Sequence, residues 1–295
     1  MKPSPYQIAA FTQAARVRSF SKAAAVMGVT QSSVTQHVAK LERIMGTQLF
    51  VRRREGLELT PAARELFAIS DRLRTLEQLI EEKVEDYGEL SAGHLRIIAN
   101  APRPAMPVIA RYAALYPQVE IAFTLVSWDL AMRQLRERDV DIAIIVEPEA
   151  IDGLSVRDIA RTRYKAYVHR DHHLAGRDSL SLAALTEEVV VLPEDGSLTQ
   201  RIVAAKTAAL GITLSRVIKT TTFPMVKEAV LHRVGVGLML EDGQFPSARL
   251  VALEVREMRD SYRTCLVTPA DKRDLRVVKS FCEVAADALY DQTLT

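Results

Sequence analysis

The sequence predicts an α/β protein with a small helical domain at its N-terminus, one long helix, and a larger domain of alternating strands and helices. Three observations carry this prediction. The segment Phe20–Phe50 has the pattern of two helices joined by a tight turn. Residues 61–88 keep a single helical period of apolar side chains. From Leu95 onward, short apolar runs alternate with amphipathic ones, as in chains that fold into β-α units.

The first pattern is that of a helix-turn-helix. We expect Ser21 to cap the first helix, Gly28 to end it in the left-handed conformation, and Thr30 to cap the second helix. Apolar residues of the second helix recur at helical spacing and are expected to face inward, namely Val34, Val38, Leu41 and Met45. Its exposed leading end then carries short hydrogen-bonding side chains, which suit a helix entering a DNA major groove: Gln31, Ser32, Ser33, Thr35 and Gln36. The alternative is an ordinary pair of packed helices.

A predicted hairpin follows and favours the DNA-binding interpretation. Leu49–Val51 and Leu57–Leu59 are the expected strands, and the turn between them carries the cations Arg52, Arg53 and Arg54. Such a wing places arginines on the DNA backbone or in the minor groove beside the second helix, although a solvated turn is the alternative. Residues 1–60 hold nine Lys or Arg and three Asp or Glu, a net charge of +6, as expected for contact with phosphates.

These residues together resemble a known family. The chain is similar to LysR-type transcriptional regulators over its whole length, through Ala14-Ala15, Ser19–Ala24, Gln31–Gln36, Leu41-Glu42, Gly46, Leu49-Phe50, Arg52 and Leu59–Ala62. The resemblance implies two lobes like those of a periplasmic binding protein, with the last helix returning to the first lobe. The chain departs from the family pattern at Ser32, Gln36 and Ala63, where proline, arginine and glycine are frequent. Because Gln36 is an expected base contact, the operator sequence cannot be carried over.

The long helix is expected to pair two subunits. Its apolar stripe extends over about three to four heptads, and no neighbouring element in the sequence would cover it: Leu66, Ile69, Leu73, Leu76, Leu79, Ile80 and Val84. Packing against its own domain is the alternative, whereas the family resemblance implies a homodimer or homotetramer. Gly88 and Gly93, around Ser91-Ala92, predict a hinge. The expected domains are therefore 1–60 for DNA binding, 61–90 as linker, and 91–295 for effector binding.

The larger domain is predicted to be an open, mostly parallel sheet in two lobes. Lobe I takes residues 92–163 and 263–295, and lobe II takes residues 164–262. Ligands in such sheets bind beyond the carboxyl ends of the strands, where helix N-termini offer unpaired amides. The candidate effector-binding residues lie at these places: Asn100, Pro102, Arg103, Ser127, Trp128, Val146, Glu147, Ser197, Thr199, Thr221 and Thr222. For Ser197 and Thr222, simple helix capping is the alternative role.

Arg103 and Glu147 would suit a zwitterionic effector if both reached one cleft. The stretch Asp141–Pro148, with Glu241, is loosely similar to regulators linked to aminoethylphosphonate breakdown. Trp128 could instead stack on an aromatic effector or belong to the core. The nature of the effector is therefore expected to be anionic or zwitterionic.

Other classes of protein are not favoured. There is no run of 18 apolar residues and no signal-peptide core, so we expect a cytoplasmic protein without a membrane span. Cys265 and Cys282 do not form a metal or disulfide motif, and we expect no cofactor. The loop with His169, His172 and His173 is interpreted as solvated, and no nucleophile elbow, Walker loop or dinucleotide fingerprint occurs.

The prediction is a homo-oligomeric transcription factor that binds double-stranded DNA and responds to a small molecule. The alternative is a cytoplasmic solute-binding module with an architectural DNA head. The operator, the target genes, the direction of regulation and the choice of dimer or tetramer do not follow from the sequence.

Overall fold

The computed structural model describes residues 2–53, 56–84, 93–241, 243 and 246–292, with side chains up to residue 287. The chain divides into two compact units, Met1–Gly88 with Arg136–Asp139, and Glu89–Leu135 with Val140–Thr295. Within the described ranges, none of the helices has both the length and the apolarity that a bilayer crossing requires.

The first unit is a winged helix-turn-helix continued by a long helix. Its elements are α1 (Pro5–Val17), α2 (Phe20–Met27), α3 (Gln31–Met45), β1 (Phe50–Arg53), β2 (Gly56–Leu59) and α4 (Pro61–Val84). The predicted fold class is confirmed. The helix α1, which packs against α3, was not part of the sequence-based assignment.

Local signals explain where α2 and α3 begin and end. Ser19, not Ser21, caps α2, because its hydroxyl accepts the Lys22 N–H at 3.3 Å. Gly28 ends α2 with φ +65°, a conformation that costs glycine little. Thr30 caps α3 by accepting the Ser33 N–H at 3.2 Å, as predicted.

The inward face of α3 belongs to the core of this unit. Val34, Val38 and Leu41 are almost fully buried together with Phe11 of α1. The prediction was wrong for Met45, which is 39% exposed. Met45 is the last residue of α3, where the helix ends at Gly46 and no further turn covers it.

The helix α4 shows two contrasting faces. Ala63 and Phe67 are buried in the core of the first unit. The other face exposes large apolar side chains, namely Ile69, Leu73, Leu76, Ile80 and Val84. The predicted hinge residues Gly88, Ser91 and Ala92 lie outside the described residues, and Gly93 begins the next strand.

The second unit alternates strands and helices. In chain order these are β3 (Gly93–Ala99), α5 (Pro102–Leu115), β4 (Val119–Leu125), α6 (Trp128–Arg136), β5 (Ile142–Val146), β6 (Leu154–His169), β7 (Ser179–Leu180), β8 (Val190–Pro193), α7 (Leu198–Ala209), β9 (Val217–Thr220), α8 (Phe223–Leu231), β10 (Val236–Leu240), β11 (Leu250–Val255), β12 (Ser261–Pro269) and α9 (Arg276–Gln292). Short 3-10 helices cover Leu182–Glu187 and Ala270–Lys272.

The strands form one continuous mixed sheet in the order β4-β3-β5-β12-β6-β10-β8-β9. Each lobe has a parallel set, β4-β3-β5 in lobe I and β10-β8-β9 in lobe II. The long strands β6 and β12 run antiparallel to each other and connect the two sets. The sheet is therefore less parallel than predicted.

The boundary predicted between the lobes at residue 164 falls inside a single strand, because β6 extends from Leu154 to His169. Its first half alternates charged and apolar residues and pairs with β12, whereas its second half is buried and pairs with β10 and β11. Only the second half is mostly apolar, with Lys165 as the charged exception, and it is therefore closer to the pattern of a central strand.

The last helix returns to lobe I, as the family resemblance implied. The Tyr112 hydroxyl of α5 donates to the Val277 carbonyl of α9 at 3.2 Å and lies 2.9 Å from the Ser280 hydroxyl. The rings of Tyr112 and Phe281 pack with centroids 5.1 Å apart. The chain therefore crosses between the lobes through both β6 and β12.

Candidate functional site

The leading end of α3 is presented to solvent as the sequence predicts. Gln31, Ser32 and Gln36 are exposed, while Ser33 and Thr35 are half-buried. The Gln36 amide donates to the Ser32 hydroxyl at 3.4 Å, one helical turn away. Gln31 accepts from the Ser21 hydroxyl at 2.9 Å, so Ser21 steadies the recognition helix and does not cap α2. These side chains form one polar surface whose contact with DNA stays a prediction.

The wing is fixed against the junction of α1 and α2. The Leu57 N–H donates to the Arg18 carbonyl at 3.0 Å, and a Cβ on Gly56 would approach that same oxygen to 3.0 Å. Gly56 has φ +130°, which side-chain-bearing residues rarely adopt. A glycine is therefore needed at the point where the hairpin meets the helices.

The arginines of the wing differ from one another in their surroundings. Arg52 and Arg53 lie in β1 itself, not in a turn as predicted, and Arg54 lies outside the described residues. Arg53 donates to Glu58 across the hairpin at 2.9 Å, which lowers the pKa of the Glu58 carboxyl. Arg53 must give up this partner to bind a phosphate, whereas Arg52 has no acidic partner within the described ranges.

A groove of about 640 Å³ lies between the wing and the start of α2. Its lining contains four cations, the hydroxyls of Ser19 and Ser21, and the first residue of α3; the cations are Arg18, Lys22, Arg52 and Arg53. Sequence reasoning missed Arg18 and Lys22. The signal was available for Lys22, because a cation in the first turn of the helix that precedes a recognition helix is placed to reach the backbone of DNA.

A second candidate site is the cleft between the two lobes of the second unit. Most of the predicted effector-binding residues line one small cavity there: Asn100, Ser127, Trp128, Ser197, Thr199, Thr221 and Thr222. The cavity also contains apolar residues that sequence reasoning missed, namely Val126, Pro193, Leu198 and Phe223. Their side chains carry no group whose chemistry could have indicated a site.

Four helices begin at this cavity. Asn100 precedes α5, Ser127 precedes α6, Ser197 precedes α7, and Thr222 precedes α8. Helix N-termini carry partial positive charge and unpaired N–H groups. No charged side chain is among the residues that line the cavity within the described part of the chain. The partial positive charge at the cavity therefore comes from backbone dipoles and not from a lysine or arginine side chain among these lining residues.

The hydroxyls of the cavity are not equivalent. Ser197 and Ser127 cap their own helices by accepting the N–H groups of Gln200 at 3.2 Å and Leu130 at 3.4 Å. The Thr199 hydroxyl pairs with that of Tyr164 at 3.0 Å. Thr222 makes no side-chain cap for α8, so its hydroxyl is available to a ligand.

Arg103 and Glu147 do not meet in this cavity. The Glu147 carboxylate accepts the Arg263 N–H at 2.6 Å and the Arg263 guanidinium at 3.2 and 3.3 Å. Arg103 donates to the Glu241 carbonyl at 3.2 Å. The cation and anion expected to hold a zwitterion are therefore both engaged with other groups, and their contact with an effector stays a prediction.

Two other residues that were predicted to bind the effector, Val146 and Pro102, have roles in the fold itself. Val146 is fully buried in β5 and its carbonyl accepts the Trp128 indole N–H at 2.8 Å. Pro102 occupies the first turn of α5, where the missing N–H of proline costs nothing, and it does not line the cavity.

The two lobes are in contact around the cavity. The Arg201 guanidinium of lobe II lies 4.1 Å from the centroid of the Trp128 ring of lobe I. Leu198 packs against the apolar cores of both lobes. The remaining cavity is about 20 Å³, room for roughly one water molecule. A larger ligand therefore requires the lobes to separate.

The histidine-containing loop differs from the predicted solvated loop. His169 is 3% exposed, and its Nδ1 accepts the Asp171 N–H at 3.2 Å. His172 and His173 both direct Nε2 toward Glu188, which comes later in the chain, just before β8. The expectation of solvent exposure holds only for His173, whose side chain is 66% exposed.

Comparison with known proteins shows that both parts of the chain match models of one protein family. Residues 5–64 match the model of the bacterial regulatory helix-turn-helix protein, lysR family, and residues 88–289 match that of the LysR substrate binding domain. The RuBisCO operon transcriptional regulator of Allochromatium vinosum is 27% identical over 278 residues, covering 92% of each chain.

Solved structures show the same fold. A full-length OxyR variant from Pseudomonas aeruginosa aligns with a TM-score of 0.78 and 16% identity, over 98% of this chain and 95% of that one. The regulatory domain of CcmR from Synechocystis PCC6803, solved in complex with 2-PG, aligns with a TM-score of 0.59 and 19% identity, over 67% of this chain and 97% of that one.

Proposed function

The chain belongs to the LysR family of bacterial DNA-binding transcriptional regulators, and from that premise we propose that a small anion bound between its two lobes controls its activity on DNA. The observation that carries this proposal is the meeting of four helix N-termini at one cavity, with no charged side chain among the described residues that line it. Partial charges of this kind stabilise a phosphate, sulfate or carboxylate group.

The anion would bind to a defined set of groups. The hydroxyls of Thr221 and Thr222, with the Asn100 amide, would contact its oxygens directly. Ser127 and Ser197 hold the helix termini in place through their capping bonds. An anion fits better than the zwitterion considered from sequence, because Arg263 neutralises the Glu147 carboxylate outside the cavity. The similar CcmR domain, solved with 2-PG, supports a small ligand for this class of domain.

On DNA, the exposed end of α3 would read bases while the wing and the start of α2 hold the backbone. Gln31, Ser32, Ser33, Thr35 and Gln36 would enter the major groove. Arg52, Arg53, Arg54 and Lys22 would contact phosphates. We propose that two such heads act together, because the outer face of α4 exposes an apolar seam that a second copy of the chain would cover.

The effector would act by biasing lobe closure. Closure brings Arg201 onto Trp128 and Leu198 between the two cores. Because the cavity of about 20 Å³ holds roughly one water molecule when the lobes are in contact, a larger ligand would bind only with the lobes further apart. It would shift the population toward that arrangement, and subunits paired through α4 would then rearrange their DNA heads. Because the relatives are transcriptional regulators, we propose binding and no catalysis.

A thermal-shift screen of the full-length chain tests the anion site. The panel contains phosphate, sulfate, phosphonates, dicarboxylates, amino acids and aromatic acids. A ligand at a hundredfold excess over its Kd stabilises the folded state by about 2.7 kcal/mol. We expect an anion to raise the melting temperature in the wild type and in Thr213→Val, an exposed threonine outside the cavity, but much less in Thr222→Val. A shift of equal size in all three proteins, or shifts with aromatic acids alone, would contradict the proposed site.

A further inference from the structure

Two consecutive histidines and one glutamate converge in lobe II, away from the effector cavity. His172 and His173 lie in the turn after β6, and Glu188 lies just before β8. The His172 Nε2 is 3.6 Å from Glu188 Oε2, and the His173 Nε2 is 2.9 Å from Glu188 Oε1. The two imidazole rings are stacked, with centroids 4.5 Å apart and planes inclined by 28°.

These distances fit a shared ligand sphere. A tetrahedral ion with bonds of about 2.0–2.1 Å to nitrogen and oxygen separates its donor atoms by roughly 3.3 Å. The observed separations lie on either side of that value: 2.9 Å from the His173 nitrogen to Glu188 Oε1, and 3.6 Å from the His172 nitrogen to Glu188 Oε2. All three donor atoms lie within 4.8 Å of one another, so changes in their separations of at most about 1.5 Å would complete the geometry.

The charge of Glu188 also favours a cation. Its side chain is only 13% exposed, and within the described ranges its ion-pair partners are the two imidazoles. No lysine or arginine of the described residues forms an ion pair with it. A carboxylate removed from water is strongly stabilised by a full positive charge, which a neutral imidazole does not provide. Asp171 in the same loop is satisfied separately by Arg233.

We propose that His172, His173 and Glu188 bind one divalent transition-metal ion of the zinc class. Imidazole and carboxylate ligands suit Zn²⁺ and Ni²⁺, and three protein ligands leave a fourth position for solvent. Binding has one local consequence. The His172 Nδ1 now accepts the Leu174 N–H at 3.3 Å, and ligation through Nε2 moves the ring proton to Nδ1, so this long hydrogen bond is lost.

Bound metal would join two segments of the same lobe. The histidines follow the strand β6, which crosses between the lobes, while β8 ends at Pro193 in the effector cavity. The ion would therefore hold the beginning of β8 against the end of β6. This metal site does not depend on the proposed anion site, and either can be absent without the other.

The test is equilibrium dialysis of the full-length chain, without a polyhistidine tag, against Zn²⁺, with the bound metal measured by atomic absorption. We expect one ion per chain. His173→Ala and Glu188→Gln should each weaken binding at least about tenfold. The matched control is His232→Ala, which removes an exposed histidine whose carboxylate neighbour, Glu228, is 4.0 Å away; its affinity should equal that of the wild type.

Circular dichroism would show that each variant is folded. Glu188→Gln preserves the shape of the side chain, and His173 is mostly exposed, so neither change removes core packing. Cobalt supplies an independent signal, because Co²⁺ in a tetrahedral N/O site gives visible absorption that should appear in the wild type and in His232→Ala only. Absence of bound zinc in the wild type, or zinc retained at full affinity in His173→Ala and Glu188→Gln, would overturn the proposal.

Discussion

The Arg201 guanidinium lies over the Trp128 indole, 4.1 Å from Cζ to the ring centroid, and joins the two lobes beside the effector cavity. Trp128 is 4% exposed and its N–H is bound to the Val146 carbonyl. It is also the single tryptophan of the chain. Its fluorescence therefore reports on the cavity alone, and any ligand that parts or tightens the lobes should change it.

Base reading and phosphate contact should separate in DNA-binding measurements. Gln36→Ala should weaken binding to the preferred operator by about 1–3 kcal/mol. It should have little effect on binding to operators in which the base pair contacted by Gln36 has been changed. Arg52→Ala should weaken all sequences and reduce the salt slope by about one. Arg53→Ala should have a smaller effect, because Arg53 must first leave Glu58.

The measurement is fluorescence anisotropy on operators selected from random double-stranded DNA, repeated at several salt concentrations. Equal losses on every sequence for Gln36→Ala would remove its base-reading role. Failure of the wild type to select any sequence would instead support an architectural DNA head.

The apolar seam of α4 should control the oligomeric state. Ile69, Leu73, Leu76 and Ile80 recur at spacings of four, three and four residues and are all at least half exposed. Leu73→Glu should raise the dimer dissociation constant about a hundredfold, because a twofold interface loses about 1.5 kcal/mol or more on each side. Arg72→Glu, exposed on the same helix but outside the seam, is the control. Sedimentation equilibrium distinguishes the two, and a dimer that survives Leu73→Glu would place the interface elsewhere.

Gly235 should be required for the packing of β10, not for nucleotide binding. A Cβ at this position would lie 2.0 Å from the Val189 carbonyl oxygen, which accepts the Val236 N–H at 2.8 Å. Gly235→Ala should lower the free energy of unfolding by about 1–3 kcal/mol. Gly176→Ala, where nothing lies within 4 Å, should change it little. Urea unfolding, followed by Trp128 fluorescence, measures the stability of both variants. Equal unfolding midpoints for Gly235→Ala and Gly176→Ala would contradict the packing role of Gly235.

The two thiols should be unreactive in the folded chain. Burial and the nearby Asp158 carboxylate raise the pKa of Cys265 to about 12, and burial raises the pKa of Cys282 to about 11. At pH 8 roughly one Cys265 in ten thousand is then a thiolate, the form that reacts. A thiol-specific disulfide reagent should modify both cysteines only after denaturation.

The raised pKa values of the two cysteines also determine the direction in which the free energy of unfolding changes at high pH. The unfolded thiols ionise at lower pH than the folded ones, so the unfolded chain binds fewer protons above about pH 9. The free energy of unfolding should therefore fall as the pH rises from about 9 toward 12, and less steeply in Cys265→Ala. Rapid modification of the native chain at pH 8 would contradict the burial of Cys265.

Local structure was predicted best from the sequence at places where a single residue determines the backbone conformation. Gly28 and Thr30 determine the turn and the start of α3, and Pro61 the start of α4, because each acts through its own backbone or its nearest neighbours. The convergence of these residues at one cavity was also predictable, since residues before helices in an α/β sheet converge at strand ends; their contact with an effector stays a prediction.

Contacts between residues that are far apart in the sequence could not be predicted from local patterns. Arg263 lies more than a hundred residues from Glu147, and Glu188 lies beyond the loop that holds His172. Neither partner has a spacing that identifies it. The exposed first half of β6 could not be predicted from sequence for a different reason. Its side chains alternate as in an edge strand, although it pairs with β12.

The most direct test of the account is a titration of Trp128 fluorescence in the full-length chain with the anion that gives the largest thermal shift. The account predicts a saturable change in emission, with affinity reduced at least about tenfold in Thr222→Val, which loses a hydrogen bond to a charged ligand, and unchanged in Thr213→Val. Arg201→Ala should alter the emission before any ligand is added. Saturable binding of the anion with no change in Trp128 emission would contradict the central claim that the ligand binds between the lobes.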